Sequence, residues 1–337
     1  MNANLPISRR LTLMLSGEDF IDEELLDDKA GNQTQETLEI KPLMGLPHER
    51  FLIGEKVPAA PLLLMGQNGE TIKPNPQDVI ACLQPIHLHA TRDHLVLLHQ
   101  NLIDITPEES VNLLKAAQEF ITEDFKQNII YAGTHYWFIS AGPFTSLETH
   151  SVEQSHGRNI DWWLPRDTDE NGIAKLWRKL QNEIQMLWHI HFVNESREER
   201  GIPTINSVWI SGIGKLDDVQ TPTLFNHIKT LFGYHPLLKG LANYLEKPYL
   251  NLKDKPPTVQ ELAGAFVWPD QPEDLWPLIS KSLLEGQLDE LEVIDFPGGK
   301  ERHRIYTVGD LQKRKPLFGL LFWQKSLTPS WQELINK

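Results

Sequence analysis

The stretch that most constrains this chain runs from 174 to 214, AKLWRKLQNEIQMLWHIHFVNESREERGIPTINSVWISGIG. A long helical pattern, a polar turn, an apolar run and a Gly-x-Gly follow one another in it. Leu176, Leu180, Ile184, Leu187 and His191 recur at steps of three and four, with Ile173 and Ile190 beside them. That spacing predicts one helix with a single buried face. Lys175, Lys179, Asn182 and Gln185 fall mostly away from it. A helix of this length would reach about 27 Å, enough to cross a domain. Asn194 reads as the N-cap of a second, short helix, because Glu195, Glu198 and Glu199 follow and acids suit a first turn. Gly201 and Pro203 stop that helix. The run from Ile205 to Ser211 then predicts a buried strand, ended by Gly212-Ile213-Gly214.

Two readings of this stretch stand side by side. Ligands of open parallel sheets bind outside the carboxyl ends of strands. A Gly-x-Gly there would let backbone N–H groups approach an anion, with Asn194, Arg197, Asn206 and Ser211 nearby. The plainer reading is a core helix packed on a core strand, the glycines making only a tight turn. Lys215 is followed by Leu216 rather than Ser or Thr, so no phosphate loop of the nucleotide-binding kind is present.

A second segment, HLHATRDHLVLL at 87 to 98, joins HFVNESREERGIPTIN at 191 to 206 in carrying a family likeness. The later segment resembles the His-Pro-Val-Asn stretch, with its following Arg, Gly, Pro and Asn, of archaeal-type cofactor-independent phosphoglycerate mutases. Both segments more closely resemble a bacterial phosphoglycerate-mutase-like family known as "regulatory protein, RpfE type", over most of residues 80 to 325. The resemblance implies an alkaline-phosphatase-like α/β fold, a mainly parallel sheet with helices on both faces, carrying an inserted α+β subdomain that closes over a substrate. It also implies that Arg92 and Asp93 line a cleft, and that Arg92, Arg158 and Arg197 grip phosphate and carboxylate groups, a task suited to bidentate guanidinium.

Activity does not follow from the likeness. Mutases of that type need two metal ions held by aspartates and histidines, plus a serine that carries the phosphoryl group. Their signatures are an Asp-Gly after the first strand and an Asp-His-Gly or Asp-His-Ser on a late one. Here the first strand runs into Ser16-Gly17-Glu18-Asp19, Asp93-His94 is followed by Leu95, and Asp295 by Phe296-Pro297. The expectation is a phosphoglycerate-mutase-like protein that has lost its phosphotransfer centre and binds an anionic metabolite or a protein partner. The alternative is a metal-dependent phosphomutase or phosphatase with an atypical set, Glu18, Asp19, His87 and His89, holding manganese or zinc. His87 and His89 share one face of a predicted strand, a spacing that can ligate zinc or simply face solvent.

Composition narrows the partners. A net charge of −14 at pH 7 argues against a general nucleic-acid binder, since phosphate would be repelled. The single cysteine, Cys82, excludes an internal disulfide or a four-cysteine metal site and suits a reducing cytoplasm. No apolar run approaches the length of a membrane helix, and SRRLTLML at 8 to 15 reads as the first strand rather than an export signal.

The rest of the chain supplies the organisation. An acidic, polar segment fills 16 to 41, and Pro61 to Met65 is an apolar strand or helix start. From 85 to 165 strands pair around one helix that opens at Pro107 with Thr106 as its cap, predicting the inserted α+β subdomain. Residues 1–84 and 166–337 form the expected α/β core. Beyond 215, strands are expected at FNHIKTLF, GAFVW, LEVIDF and HRIYTV, and helices at 236 to 246 and 272 to 284. Pro297-Gly298-Gly299 between LEVIDF and HRIYTV reads as an edge hairpin, and GDLQKRKPLFGLLFW at 309 to 323 closes the fold; alternation of this kind argues a mainly parallel sheet with helices on its faces.

Overall fold

Strand β1 (Arg10–Met14) opens the structure, a computed structural model that describes residues 9–19, 42–69, 71–169, 172–312 and 328–336. Helices α1 (Pro47–Ile53) and α2 (Ala59–Met65) come next, then strands β2 (Ile80–Ala90) and β3 (Leu95–Leu98). Helix α3 (Pro107–Glu119) leads to β4 (Ile129–Ala132) and β5 (Trp137–Ser140). Helices α4 (Ile173–His189) and α5 (Phe192–Glu199) precede β6 (Ser207–Gly214). Strand β7 (Thr230–Gly233), helix α6 (Pro236–Tyr244), and strands β8 (Tyr249–Asn251) and β9 (Ala265–Val267) follow. Helix α7 (Pro272–Leu284) and strands β10 (Glu290–Asp295) and β11 (Arg302–Thr307) complete the main elements. The acidic segment from 20 to 41 and most of the closing 309–323 pattern lie outside the described residues. Among the described residues no helix is long and apolar enough to cross a membrane.

The chain divides into two compact units, Met1–Glu18 with Pro222–Lys337, and Asp19–Thr221. The first holds a mainly parallel sheet in the order β8-β7-β9-β1-β10-β11, with only β11 antiparallel, as the turn at Pro297–Gly299 requires. Alternation along the strands separates two faces. Leu11, Leu13, Phe232, Ala265, Val267, Leu291 and Val293 pack under Trp276, Ile279 and Leu283 of α7. Helix α6 covers the other face. Gly233, which neighbours Phe232 and so points the opposite way, directs its missing Cβ at Leu238 of α6, where a methyl would lie 2.6 Å from Leu238 Cδ2.

That arrangement sets where a ligand crevice belongs. The connection from β7 through α6 runs outward to β8, whereas that from β9 through α7 crosses β1 to reach β10. Neighbouring strands whose connections leave in opposite directions open a gap at their carboxyl ends. In this sheet the gap lies between β7 and β9.

The second unit is built on an antiparallel sheet, β3-β2-β5-β4, with β6 along the other edge of β2. Ala81, Leu83, Trp137, Ile139, Val208 and Ile210 form one face, under Leu113 and Ala117 of α3 and Trp177, Leu180, Ile184 and Trp188 of α4. The expected 85–165 insert lies wholly inside this unit, which also takes in α1, α2, α4 and β6.

Several local expectations change. Strand β6 is antiparallel to β2, so its glycine end is not the carboxyl edge of a parallel sheet. The buried face of α4 is Trp177, Leu180, Ile184 and Trp188, with Leu176 and Ile190 exposed at 38% and 74% and Leu187 only half-buried. The same period fits a face turned by one residue, and the indoles settle which one is inside: Trp188 donates its N–H to the Leu113 carbonyl at 3.1 Å. His191, not Asn194, caps α5, its ring nitrogen accepting from Val193 N at 3.3 Å. Of the two readings of the 61–65 run the helical one holds, while the strand expected from Phe225 begins only at Thr230, after a 3-10 turn at Thr223–Asn226.

Candidate functional site

Asn194 and Arg197 are buried and Asn206 is half-buried, each with its side chain hydrogen-bonded within the fold. Arg197 is fully buried: Nε donates to the Pro203 carbonyl at 2.7 Å, one terminal nitrogen to Glu109 Oε2 at 2.7 Å, the other to the Ile103 carbonyl. Burial pulls its pKa down, and the Glu109 carboxylate opposes that. Glu109 in turn accepts from Arg200 at 2.6 Å and from the Thr106 backbone N–H at 3.0 Å, closing the cap of α3. Burial raises the Glu109 pKa, but these partners outweigh it and hold the carboxyl below its usual range. A buried ion pair of this kind is strongly destabilising to break, because the surviving charge stays desolvated.

The two asparagines act as backbone substitutes. Asn194 accepts from Ile205 N at 2.7 Å and donates to the carbonyls of Ile205 and Trp188, tying α4 and α5 to the approach of β6. Asn206 accepts from Leu88 N at 2.7 Å and donates to Leu88 O at 2.9 Å, extending the β2–β6 ladder with its side chain. Ser211 lies on the opposite face of β6 from the α4 core, 3.5 Å from the Gln84 amide oxygen.

Gly212 and Gly214 serve packing. Gly212 has φ +63, and a Cβ there would meet Ala60 N at 2.8 Å. At Gly214 it would meet Pro58 Cβ at 2.4 Å. Both glycines let the start of α2 press against β6, so the anion loop expected here is a close-contact surface instead.

The remaining expected residues are dispersed. Arg92 and Asp93 are exposed at the β2–β3 turn, where Asp93 contacts His94 Nδ1 at 3.0 Å. Arg158 donates to the Asp19 carbonyl at 3.0 Å and lies 4.8 Å from the Trp163 ring centre. The Asp19 carboxylate accepts from the Gln154 amide and sits 3.6 Å from Arg50; burial raises its pKa. Glu18 is exposed and belongs to the other unit. His87 and His89 share a face of β2, with ring centres 5.9 Å apart. Arg92, Arg158 and Arg197 therefore do not form one clamp within the second unit: one is at an exposed turn, one holds the Asp19 backbone, and one is in the core.

Two features escaped the sequence reading. The first is the crevice between β7 and β9. Tyr234 and His235 follow β7, Trp268 follows β9, and Ser16 lies two residues beyond β1. The Trp268 indole donates to Ser16 Oγ at 3.0 Å and stacks on His235 at 5.0 Å. Lys253 Nζ lies 4.5 Å from the centre of the Tyr234 ring, a cation–π distance. Among the described residues the buried Tyr234 hydroxyl has no hydrogen-bond partner, an uncommon state for a buried polar atom. His235 also caps α6, its ring accepting from Leu237 N at 3.1 Å. The available signal was the polar or aromatic residue after each apolar run, Tyr234-His235 and Trp268.

The second feature is an acidic interior in the Asp19–Thr221 unit. Glu49 is buried in α1 and accepts from Leu46 N at 2.7 Å. Burial, reinforced by Glu153 and Asp19, pushes its carboxyl up to about 8. Burial likewise raises the Cys82 thiol and the Tyr136 phenol, with Glu153 adding to both. No local spacing marks Glu49 as buried.

No family model matches the chain, and no curated protein matches it in sequence. Among solved structures it shows a distant similarity to the cofactor-independent phosphoglycerate mutase of Thermoplasma acidophilum DSM 1728. That likeness has 15% identity and a TM-score of 0.35, over 89% of this chain and 90% of the other. A Pyrococcus horikoshii protein is similar at 13% identity and a TM-score of 0.40, over 87% of this chain and 85% of that one.

Proposed function

We propose that the protein is a phosphoglycerate-mutase-like member of the α/β class that binds an anionic small molecule, and that it does so without a two-metal phosphotransfer centre. The observation that carries this reading is the buried Tyr234 hydroxyl, which lacks a partner among the described residues, with the Lys253 ammonium over its ring, at the carboxyl ends of β7 and β9 where the strand order reverses. The N-terminal end of α6 opens there and adds a positive partial charge. Ser16, His235 and Trp268 supply a hydroxyl and two stacked rings on the same edge. A site of this make-up holds an anion through one cation and oriented N–H and O–H donors, and orients it against flat apolar surface.

The motif arginine and asparagines at residues 191–206 are structural rather than recognition or catalytic groups. Their donors and acceptors are occupied by Glu109, backbone carbonyls and backbone N–H groups. They hold the architecture of the second unit and leave recognition to other residues.

Thermal melts in inorganic phosphate and in 3-phosphoglycerate test this. A ligand at a hundredfold excess over its Kd stabilises by about 2.7 kcal/mol. Wild type should show a ligand-dependent rise in Tm that Lys253→Ala abolishes and Arg158→Ala retains. No shift in wild type with either anion, or an undiminished shift in Lys253→Ala, rejects the site. Metal-dependent turnover of 3-phosphoglycerate by the purified protein rejects the non-catalytic part.

A further inference from the structure

The pair His87 and His89 does not belong to the β7–β9 edge described above, and its rings are close enough to share one ion. Both rings project from one face of β2, and their centres are 5.9 Å apart with planes inclined at 35°. The His87 Nδ1 contact with the Thr204 carbonyl, at 2.7 Å, fixes the tautomer. A carbonyl only accepts, so Nδ1 carries the proton and Nε2 keeps its lone pair. Histidines that ligate metals characteristically donate their other ring N–H to a backbone carbonyl or carboxylate, which orients the ring and raises its basicity.

The distances decide whether one ion can reach both rings. With metal–nitrogen bonds of about 2.0–2.1 Å and about 1.2 Å more to each ring centre, two imidazoles on one ion have centres at most about 6.5 Å apart. The observed 5.9 Å is within that limit. His89 is exposed, so its ring can turn into place without disturbing the core. The Arg197 charge is itself paired with Glu109, which limits its repulsion of an incoming cation.

We propose that His87 and His89 form a two-histidine site for a borderline-soft divalent cation, Cu²⁺, Ni²⁺ or Zn²⁺, with water completing the coordination. Among the described residues no third His, Cys, Asp or Glu gathers with them, so the ion keeps exchangeable positions. Imidazole suits these ions, whereas Mg²⁺ and Ca²⁺ require oxygen ligands, and the affinity order should follow Cu²⁺ above Ni²⁺.

Calorimetric titration of the full chain, carrying no histidine tag, with Ni²⁺ and then Cu²⁺ tests the proposal. Wild type should bind saturably, and His89→Ala should weaken binding by at least about tenfold with an unchanged melting temperature. His87→Ala should weaken it as well. The Cu²⁺ complex of wild type should show an electron paramagnetic resonance spectrum with two nitrogen couplings, reduced to one in His89→Ala. An isotherm unchanged by His89→Ala overturns the site, as does the absence of saturable Ni²⁺ and Cu²⁺ binding in wild type.

Discussion

Single residues in this protein change role with burial more than with type. Arg197 was expected to bind an anion, yet in the core three of its N–H groups answer Glu109, Pro203 and Ile103. Glu49 is the opposite case, an ordinary acid that burial pushes to about 8. Its effect on stability has a definite sign. Below about pH 4.5, the ordinary value for its carboxyl, Glu49 is protonated in both folded and unfolded chains, and the stability is fully present. As pH rises, the unfolded chain releases a proton that the folded chain retains, so stability is lost through the folded pKa of about 8. Each unit of displacement is worth about 1.4 kcal/mol. Glu49→Gln should therefore flatten the fall in the urea midpoint between about pH 5 and pH 8 and raise stability most at the upper end. Parallel profiles for the two proteins would mean that Glu49 is not held neutral.

At the scale of elements, close approach explains what the glycines do. Helix α2 lies so near β6 that Gly212 could not carry a methyl without displacing the Ala60 backbone, and its φ of +63 adds a conformational penalty. Gly157 has a comparable φ, +75, with open space around it, which makes it the control. Gly157→Ala should show the conformational cost alone, about 1–2 kcal/mol. Gly212→Ala should lose a further 1–3 kcal/mol, roughly, from overpacking, measured by urea unfolding, and should leave the anion-dependent shift in Tm intact. Equal losses at the two positions would remove the packing argument. Helix α4 shows the limit of periodicity at this scale. Trp177-Leu180-Ile184-Trp188 and the expected Leu176-Leu180-Ile184-Leu187 obey the same steps, and packing against α3 decides between them.

For the whole molecule, the division into two units makes its own prediction. The Asp19–Thr221 unit contains its sheet, a core under α3 and α4, and a second cluster of Ile86, Leu88, Leu97, Trp163 and Trp209 on the other face. Expressed alone, residues 19–221 should fold and unfold cooperatively in urea, with near-ultraviolet dichroism from the buried Trp137, Trp177 and Trp188. A fragment with the dichroism of an unfolded chain would show that this unit depends on the remainder. The sequence by itself determined the ends and types of many elements, because those signals are local. Thr106 and Pro107 start α3, Pro272 starts α7, and Pro297-Gly298-Gly299 turns β10 into β11. The mainly parallel α/β sheet was legible from strand–helix alternation beyond residue 215 for the same reason. Tertiary structure decided which sheet β6 joins, what Arg197 and Asn206 bond, and where the crevice opens. Asn206 meets Leu88 across 118 residues and Arg197 meets Glu109 across 88, and no local spacing records a partner that far along the chain.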